Sequence, residues 1–188
     1  MEHLYIYIKR HYPEISEKNW QALTQVLTVK HYDRGEHLLK IGEVCKSIFF
    51  IESGYCRAVY LHEGQEINTN FYFENELATN IGSLKQEKGS EYAIQAEEEL
   101  EAVIFDKDKL YELFSRSSEI DAMGRKLMEG VLARQEEQAK LFHFDTAQNR
   151  YEYMQKIQPQ VVTRVPLNQI ASYLGVSPDT LSRIHQEV

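Results

Sequence analysis

Hydrophobic and polar positions follow a helical period near the start of the chain and a shorter period after it. Residues 16–27 carry Trp20, Leu23 and Val26 at three-residue intervals, which predicts one face of a helix. Between residues 29 and 105, short apolar runs rich in β-branched and aromatic residues follow one another, and glycines separate them. The runs are HLLK, SIFFIES, YCRAVYL, INTNFYF, EYAIQA and LEAVIF. Runs at intervals of about ten residues predict the strands of an antiparallel sandwich or barrel.

The helical period returns over residues 106–141, which contain no proline. About 20 residues beyond Ser118 correspond to roughly 30 Å of helix. A helix of this length has more apolar surface than one small sheet can cover. The apolar side chains that we assign to the uncovered side are Ile120, Met123, Leu127, Val131 and Leu141. Two interpretations stay open: the helix packs along its own sandwich, or it pairs with a second copy of itself. We predict the pairing, with a dimer helix over residues 117–141.

A smaller unit occupies residues 145–188. A helix over residues 145–157 is expected to end at Pro159. The run VVTRV, residues 161–165, is rich in β-branched residues and predicts a short strand. The segment from there to the end of the sequence contains the most specific motif in the chain.

Residues 167–186, LNQIASYLGVSPDTLSRIHQ, have the spacing of a helix-turn-helix. Ala171 is small where two crossing helices bring their backbones together, and Gly175 lies where the turn requires a left-handed conformation. Ser177 is a suitable N-cap, and Pro178 suits the first position of the second helix. The apolar residues expected to pack the two helices together are Ile170, Leu174, Val176, Leu181 and Ile184. A buried helical hairpin would not require polar residues at the start of its second helix, so the motif predicts DNA binding.

The first two turns of that second helix carry the chemistry for reading DNA. We predict DNA contacts from Ser177, Pro178, Asp179, Thr180, Ser182 and Arg183. In the major groove, Arg183 can donate two hydrogen bonds to guanine O6 and N7, and Asp179 can accept one from cytosine N4. The hydroxyl side chains can bind phosphates and fix the register. Because this segment has few cations, useful affinity requires two copies on two half-sites.

The formal net charge of −8 is unevenly distributed. Residues 145–188 hold four basic and four acidic side chains, so the first 144 residues carry the whole excess of acid. A neutral C-terminal segment permits DNA binding but provides little general attraction for phosphates. A module that keeps the same fold, but only senses a ligand or binds a protein, therefore stays open as an alternative.

Other kinds of site lack the residues that they need. Cys45 and Cys56 form no CxxC motif or Cys/His cluster, so we expect two ordinary buried thiols and no metal site. The histidines His31, His37 and His62 are scattered, which favours surface residues over haem ligands. Neither a His-x-His pair nor a GxSxG motif occurs, so we predict no catalytic residues and no enzyme. With no apolar run of about 18 residues and no signal-peptide pattern, we expect a cytoplasmic protein.

The glycine-punctuated strands, the long helix and the C-terminal helix-turn-helix together resemble the Crp/Fnr family of bacterial transcription regulators. Besides the helix-turn-helix, the resemblance is carried by YDRGEHLLKIGEVCKSIFFIESGYCRAVY (32–60), FENELA (73–78) and FHFDTAQNRYEYM (142–154). It implies an α+β protein with an N-terminal antiparallel β-roll (a double-stranded jelly roll) and flanking helices. The domains expected are a cyclic-nucleotide-binding-like sensor over residues 1–116, the dimer helix 117–141 and a DNA-binding domain over 145–188.

The resemblance also implies partners and base-reading positions. Double-stranded DNA, a second copy, RNA polymerase and a small-molecule effector of unknown identity are the expected partners. By position, Pro178, Asp179 and Arg183 are similar to the base-reading residues of the family. Pro178 and Asp179 depart from the commoner arginine and glutamate, so an operator sequence cannot be carried over. The sequence continues only a few residues past the recognition helix, which predicts a short or missing wing.

The effector pocket that the resemblance implies would involve Asn75, Glu76, Leu77, Ser90 and Glu91. Cyclic-AMP-binding members grip the phosphate with a Gly-Glu-Leu motif and with an arginine followed by a small polar residue. Here the glycine and the arginine are replaced, and Glu91 would repel a phosphate. We therefore expect no cyclic nucleotide and no other cofactor, and a pocket that is degenerate or suited to a neutral or cationic ligand. A cyclic-nucleotide-activated regulator stays open as the second alternative.

The run EEEL beside this region, which begins at Glu97, adds further acid. For Glu98 and Glu99 we expect a solvated strand edge with no specific partner.

Overall fold

A computed structural model describes residues 1–187 of the chain. The strands are β1 (Leu27–Tyr32), β2 (His37–Leu39), β3 (Ser47–Ser53), β4 (Cys56–His62), β5 (Gln65–Tyr72), β6 (Leu77–Ala78), β7 (Tyr92–Ala96) and β8 (Leu100–Asp106). They form two antiparallel four-stranded sheets, with the strand orders β1-β8-β3-β6 and β2-β7-β4-β5. The predicted β-roll is confirmed, and each of the six apolar runs contributes a strand.

Nine α-helices surround the roll or follow it within the described residues. They are α1 (Glu2–His11), α2 (Glu17–Thr24), α3 (Ile81–Gln86), α4 (Lys107–Arg116), α5 (Ser118–Ala139), α6 (Ala147–Ile157), α7 (Pro159–Arg164), α8 (Leu167–Leu174) and α9 (Pro178–Glu187). A 3₁₀ turn, Lys140–His143, joins α5 to α6. None of the helices in residues 1–187 combines the length and the apolar character that a membrane span requires.

The roll is closed by side chains that alternate along its strands. Its interior contains Tyr32, Leu39, Ile51, Tyr72 and Ile94, all buried in one cluster. Strands β4 and β5 are joined by a two-residue turn in which both residues have positive φ, 50° and 79°. Such a turn matches the right-handed twist of the flanking strands.

The helix predicted over residues 106–141 is interrupted at Ser117. This residue is extended, with φ −143° and ψ 110°, and its hydroxyl accepts a hydrogen bond from the backbone N–H of Ile120 at 3.3 Å. Ser117 therefore caps the N-terminus of α5. The apolar pattern did not reveal this break, because both helices share the same 3.6-residue period.

The residues predicted to form a dimer seam lie mostly inside their own chain. Ile120, Met123 and Leu127 are buried in a cluster with α1, α2 and α4, and Val131 packs against it. Leu141 is buried in a separate cluster under the C-terminal helices. The assignment of the four buried side chains to a partner contact is therefore wrong. Apolar side chains occur on more than one side of α5, and periodicity alone did not tell which side faces the roll.

Residues 161–165 were predicted to form a short strand, and this prediction is wrong. They belong to α7 and its C-cap. Val161 and Val165 lie four residues apart and are both buried, so one helix face covers the core. Pro159 occupies the first turn of this helix, where a missing N–H costs nothing. Every secondary structure element between residues 147 and 187 is a helix, so this part of the chain has no wing strand.

The C-terminal helices pack directly on the roll. A single buried cluster joins Tyr55, Phe71 and Phe73 of the roll to side chains of the C-terminal helices. The members on the C-terminal side are Leu141, Tyr151, Met154, Val161, Val165, Ile170, Ala171, Tyr173, Leu174, Leu181 and Ile184. The DNA-binding unit predicted from the sequence thus shares one apolar core with the outer face of the roll.

Candidate DNA-binding surface and effector pocket

The turn between α8 and α9 has the geometry that the sequence predicted. Gly175 is left-handed, with φ 67° and ψ 38°, and the backbone N–H of Val176 donates to the carbonyl of Ala171 at 3.0 Å. The hydroxyl of Ser177 accepts from the N–H of Thr180 at 3.1 Å, which caps the start of α9. A left-handed C-cap followed by a serine N-cap is how two helices are joined through a tight turn.

The apolar positions of the motif hold the two helices together. Ile170, Ala171 and Leu174 of α8 and Leu181 and Ile184 of α9 are all buried. Val176, in the turn, is partly buried against the same cluster. All six apolar and small positions of the predicted motif are therefore used for helix packing.

The polar positions of the motif lie on the opposite side of α9. Ser177, Pro178, Asp179 and Arg183 are exposed, and Thr180 and Ser182 are partly exposed. The Nε atom of Arg183 donates weakly to the carbonyl of Asp179, at 3.4 Å. The structure thus brings the six residues onto one accessible helix face, where the guanidinium group of Arg183 points to solvent.

Two residues that the sequence did not single out support the motif. The Nη1 atom of Arg150, in α6, donates to the carbonyl of Leu174 at 2.8 Å and satisfies the last turn of α8. The hydroxyl of Tyr151 lies 2.6 Å from Nδ1 of His185, which ties α9 to α6. Neither contact has a local sequence signal, because the partners are 24 and 34 residues apart.

The residues of the predicted effector pocket form two separate groups. In the first, Asn75 adopts a left-handed conformation with φ 67°. Asparagine tolerates this conformation better than most residues, so it replaces the family's glycine without loss of the turn. Glu76 accepts from the N–H of Phe73 at 2.7 Å and forms a salt bridge with Arg134 of α5.

Arg134 binds the carboxylate of Glu76 from α5. Besides the carboxylate, it binds the carbonyl of Phe71 at 3.2 Å, and its guanidinium group lies 5.9 Å from the ring centre of Tyr72. Burial raises the pKa of Glu76 above its ordinary value, although Arg134 acts in the opposite direction. The carboxylate is therefore already engaged by a cation from the chain itself.

The second group, Ser90 and Glu91, is not joined to the first. The hydroxyl of Ser90 accepts from Asn80 at 2.7 Å and donates to the carbonyl of Tyr92 at 2.6 Å, and the residue is buried. Glu91 is exposed. Leu77 is buried in β6 and contributes to the core rather than to a polar site. The arrangement offers no arginine at the place where a phosphate would be held.

We predicted that Glu98, in the acidic run after β7, lies on a solvated strand edge. This prediction is wrong. The carboxylate of Glu98 accepts from Arg164 of α7, with an Nη2–Oε2 distance of 2.5 Å. Glu97 binds Arg57 at 2.5 Å and accepts from Gln169 of α8 at 2.9 Å. Only Glu99 is exposed in the way we expected.

The two cysteines and the three histidines have the burial that the sequence predicted. Cys45 and Cys56 are free and buried, and burial raises the pKa of the Cys56 thiol. The three histidines His31, His37 and His62 are exposed. Within residues 1–187 no group of three His, Cys, Asp or Glu side chains could hold a metal ion.

Comparison with known proteins places this fold among characterised domains. Residues 29–117 match the family model for the cyclic nucleotide-binding domain. A search of curated proteins finds no match to the sequence.

Solved structures show the same architecture over most of the chain. FixK2 from Bradyrhizobium japonicum has a TM-score of 0.68 at 17% identity, with 86% of this chain and 84% of that chain covered. The c-di-GMP responsive global regulator CLP of Xanthomonas campestris has a TM-score of 0.66 at 15% identity, with 92% and 91% covered. The catabolite activator protein of Thermus thermophilus has a TM-score of 0.56 at 18% identity, with 94% and 85% covered. At these identities the comparison establishes the fold.

Proposed function

We propose that this chain, which has the fold of the Crp/Fnr transcription regulators, binds a palindromic DNA site as a homodimer through α9. The observation that carries the proposal is the turn at Gly175. It directs the capped N-terminus of α9 outward with six polar or proline positions accessible, while every apolar position faces the core. A helix that served only to pack would not need this separation.

The chemistry of the exposed face supports readout in the major groove. Arg183 can donate two parallel hydrogen bonds to guanine, and Asp179 can accept from cytosine. Ser177 and Thr180 lie at the N-terminus of α9, where hydroxyls and backbone N–H groups can meet phosphates. We propose Arg183 and Asp179 as the base-reading residues and the hydroxyl residues as contacts that fix the register.

A dimer is supported by the side of α5 that the chain leaves uncovered. Leu132 is 54% exposed, and Met128 is partly exposed one turn before it. Both line an apolar groove of about 530 Å³ together with Phe114 of α4 and Leu84 of α3. We propose that the α5 helix of a second copy contacts this stripe, one position away from the seam predicted by periodicity.

The effector, where one exists, is proposed to differ from cyclic AMP. A cyclic phosphate is an anion, whereas Glu76 is a carboxyl already paired with Arg134 and Glu91 is an exposed acidic residue. Burying a phosphate beside these carboxylates would be unfavourable. We propose that the pocket is degenerate, as the sequence predicted, because Arg134 pairs with Glu76 inside the chain.

The proposal is tested by capture of fragmented genomic DNA with the purified, ligand-free protein at low salt, followed by sequencing. We expect enrichment of one palindromic motif, and the same motif when cyclic AMP is added. The matched controls are Arg183→Ala, on the recognition face, and Arg116→Ala, in an exposed pair with Glu112 on α4. Enrichment that is equal in Arg183→Ala and in the unchanged protein would overturn the role of α9.

A second candidate function is an interaction module that has lost specific DNA binding. It is favoured by the neutral charge of residues 145–188 and by the apolar core that these helices share with the roll. The two candidates differ in salt dependence, because specific DNA binding releases counterions and weakens steeply as salt rises. Enrichment of a motif only when cyclic AMP is present would instead favour the cyclic-nucleotide-activated alternative.

A further inference from the structure

Arg164 of α7 joins the DNA-binding unit to the roll through two carboxylates. Its Nη1 and Nη2 atoms donate to the carboxylate of Glu74 at 2.6 and 3.0 Å. Its Nη2 and Nε atoms donate to the carboxylate of Glu98 at 2.5 and 3.3 Å. The guanidinium plane also lies 5.3 Å from the ring centres of both Tyr55 and Phe73. One arginine thus makes two charge-assisted, paired contacts and stacks on aromatic rings of the roll.

The same interface is ordered by contacts along β5, which is an edge strand. The backbone N–H of Asn68 donates to the hydroxyl of Ser172 in α8 at 3.0 Å, and that hydroxyl donates to the carbonyl of Glu66 at 3.2 Å. Gln158 donates to the carbonyl of Phe71 at 3.3 Å. Backbone groups that an edge strand would present to solvent are therefore bound by the C-terminal helices, in one register.

From this geometry we infer that Arg164 is a positioning residue that sets which spacing of DNA half-sites the dimer prefers. The inference rests on the proposed function, because it concerns two recognition helices carried by one dimer. Each α9 belongs to this docked unit, which packs against the roll and is joined to α5 by the 3₁₀ turn Lys140–His143. When the unit is docked in a single orientation, the distance between the two α9 helices has one value. When it is undocked, the helices can meet half-sites at several distances.

The strength of the effect follows from how two linked modules bind. Linking two sites in the correct geometry raises avidity about 10²–10⁴-fold, and that gain is lost when the geometry is not fixed. Arg164 does not lie on the exposed face of α9, so its removal should leave the affinity for one half-site unchanged. Spacing selectivity and half-site affinity therefore report on different parts of the molecule.

The first test measures spacing selectivity with the palindrome recovered by genomic capture. The probes are that duplex, the same duplex with one to three base pairs inserted or removed between half-sites, and one isolated half-site. The unchanged protein is expected to prefer one spacing by about 10²-fold, and Arg164→Met by less than about 10-fold, with half-site affinity within about two-fold. Glu98→Gln, which removes one carboxylate and keeps the pair with Glu74, should fall between them. Arg116→Met is the matched control and should behave like the unchanged protein.

The second test needs no DNA and separates a failure of this inference from a failure of the proposed function. Hydrogen exchange in the free protein should become at least about ten-fold faster in α7 and around Phe73 in Arg164→Met, with exchange in β3 and β8 unchanged. Unchanged exchange in α7 would overturn the inference, whatever the protein does with DNA. So would retained spacing selectivity, loss of half-site affinity, or tighter binding of Arg164→Met to every probe. Failure of the unchanged protein to bind any DNA, with faster exchange in the variant, would overturn the proposed function and leave Arg164 only a docking contact.

Discussion

Arg183 is the residue on which base readout depends most in this proposal. It is exposed on the second turn of α9, and its weak bond to the carbonyl of Asp179 is easily exchanged for a base. We expect Arg183→Ala to weaken binding to the captured palindrome by about 1–3 kcal/mol per half-site and to relax the preference at one base pair. Competition titration against single-base variants of the site measures both quantities.

The control for that measurement is Arg116→Ala, which removes an exposed arginine from α4. A loss of the same size on every sequence tested would identify Arg183 as a phosphate contact and contradict its role in base readout.

Gly175 is the residue whose backbone conformation makes the helix-turn-helix possible. At φ 67° a side chain is strained, although a Cβ there would meet only Arg150, at 3.8 Å. We expect Gly175→Ala to lower the free energy of unfolding by about 1–2 kcal/mol. Gly130, on the exposed surface of α5, has ordinary helical geometry, and a Cβ added there would meet nothing within 4 Å. Gly130→Ala should therefore raise the same quantity by about 0.5–1 kcal/mol.

Urea unfolding of both glycine variants measures the two effects with opposite signs. A loss of stability in both would mean that the effect of Gly175 does not come from its left-handed backbone.

Residue-level predictions were most successful where a side chain type has one physical use. The small Ala171, the left-handed Gly175 and the capping Ser177 all lie where the motif requires them. Arg134 and Arg164 were not predicted, because an arginine on a helix is compatible with many partners. Their carboxylates, Glu76 and Glu98, lie 58 and 66 positions away in the sequence. No local pattern connects such pairs before the fold is known.

Secondary structure elements were predictable where periodicity and length agree. Six of the eight described strands follow from short apolar runs, β1 and β6 do not, and α9 follows from its cap. The strand predicted over residues 161–165 was wrong because the preference of β-branched residues for strands is weak, and packing overrides it. Val161 and Val165 pack as neighbours on one helix face. That four-residue spacing was visible in the sequence, but five residues are too few for a period to decide.

Helix α5 is the element on which the proposed dimer depends. Leu132 is exposed beside the apolar groove, and a charge placed there would lose its hydration when a partner covered it. We expect Leu132→Glu to weaken association at least about tenfold, by 1.4 kcal/mol or more. Ala133→Glu adds the same charge at the neighbouring exposed position, about 100° around the helix, and should leave the dimer intact.

Light scattering over a dilution series gives the association constants of both variants and of the unchanged protein. Equal weakening by the two substitutions would place the interface elsewhere on α5, and a monomeric unchanged protein would overturn the dimer itself.

At the scale of the whole molecule, the decisive feature is that the roll and the proposed DNA-binding unit share a core. The strand-rich and the helical part of the chain follow each other in the order that the sequence pattern predicted, and solved structures share the fold over both parts. Their docking could not be predicted, because it depends on the face of β5 that the roll leaves free. The acidic run at Glu97 and Glu98 is the clearest case: its charge suggested solvent, yet it binds residues of α7 and α8 that lie 66 and 72 positions later in the sequence.

Because of this docking, the free energy of unfolding depends on pH, and the pKa of Glu74 determines the sign of the dependence. Burial raises the pKa of Glu74, but the hydrogen bonds from Arg164, hydrogen bonds from backbone N–H groups and the charge of Arg164 together outweigh that effect and hold its pKa below the ordinary value. A carboxyl whose pKa is lowered by folding stabilises the folded state fully above its unfolded pKa of about 4.3, and this contribution disappears as pH falls through the folded pKa. Glu76 has the opposite sign, because burial raises its pKa and folding then favours its protonated form. The effect of Glu74 must therefore be isolated as a difference between two proteins.

We expect Glu74→Gln to lower the free energy of unfolding at pH 7 by about 1–2 kcal/mol, since one charge-assisted pair is lost at a partly exposed site. Below about pH 4 the unchanged protein also loses that pair, so the difference between the two proteins should shrink, at no more than about 1.4 kcal/mol per pH unit. Urea unfolding at pH 7, 5, 4 and 3 follows the difference, and Glu99→Gln, at an exposed position, should show none. A difference that stays constant down to pH 3 would mean that the charge of Glu74 does not hold the DNA-binding unit against the roll.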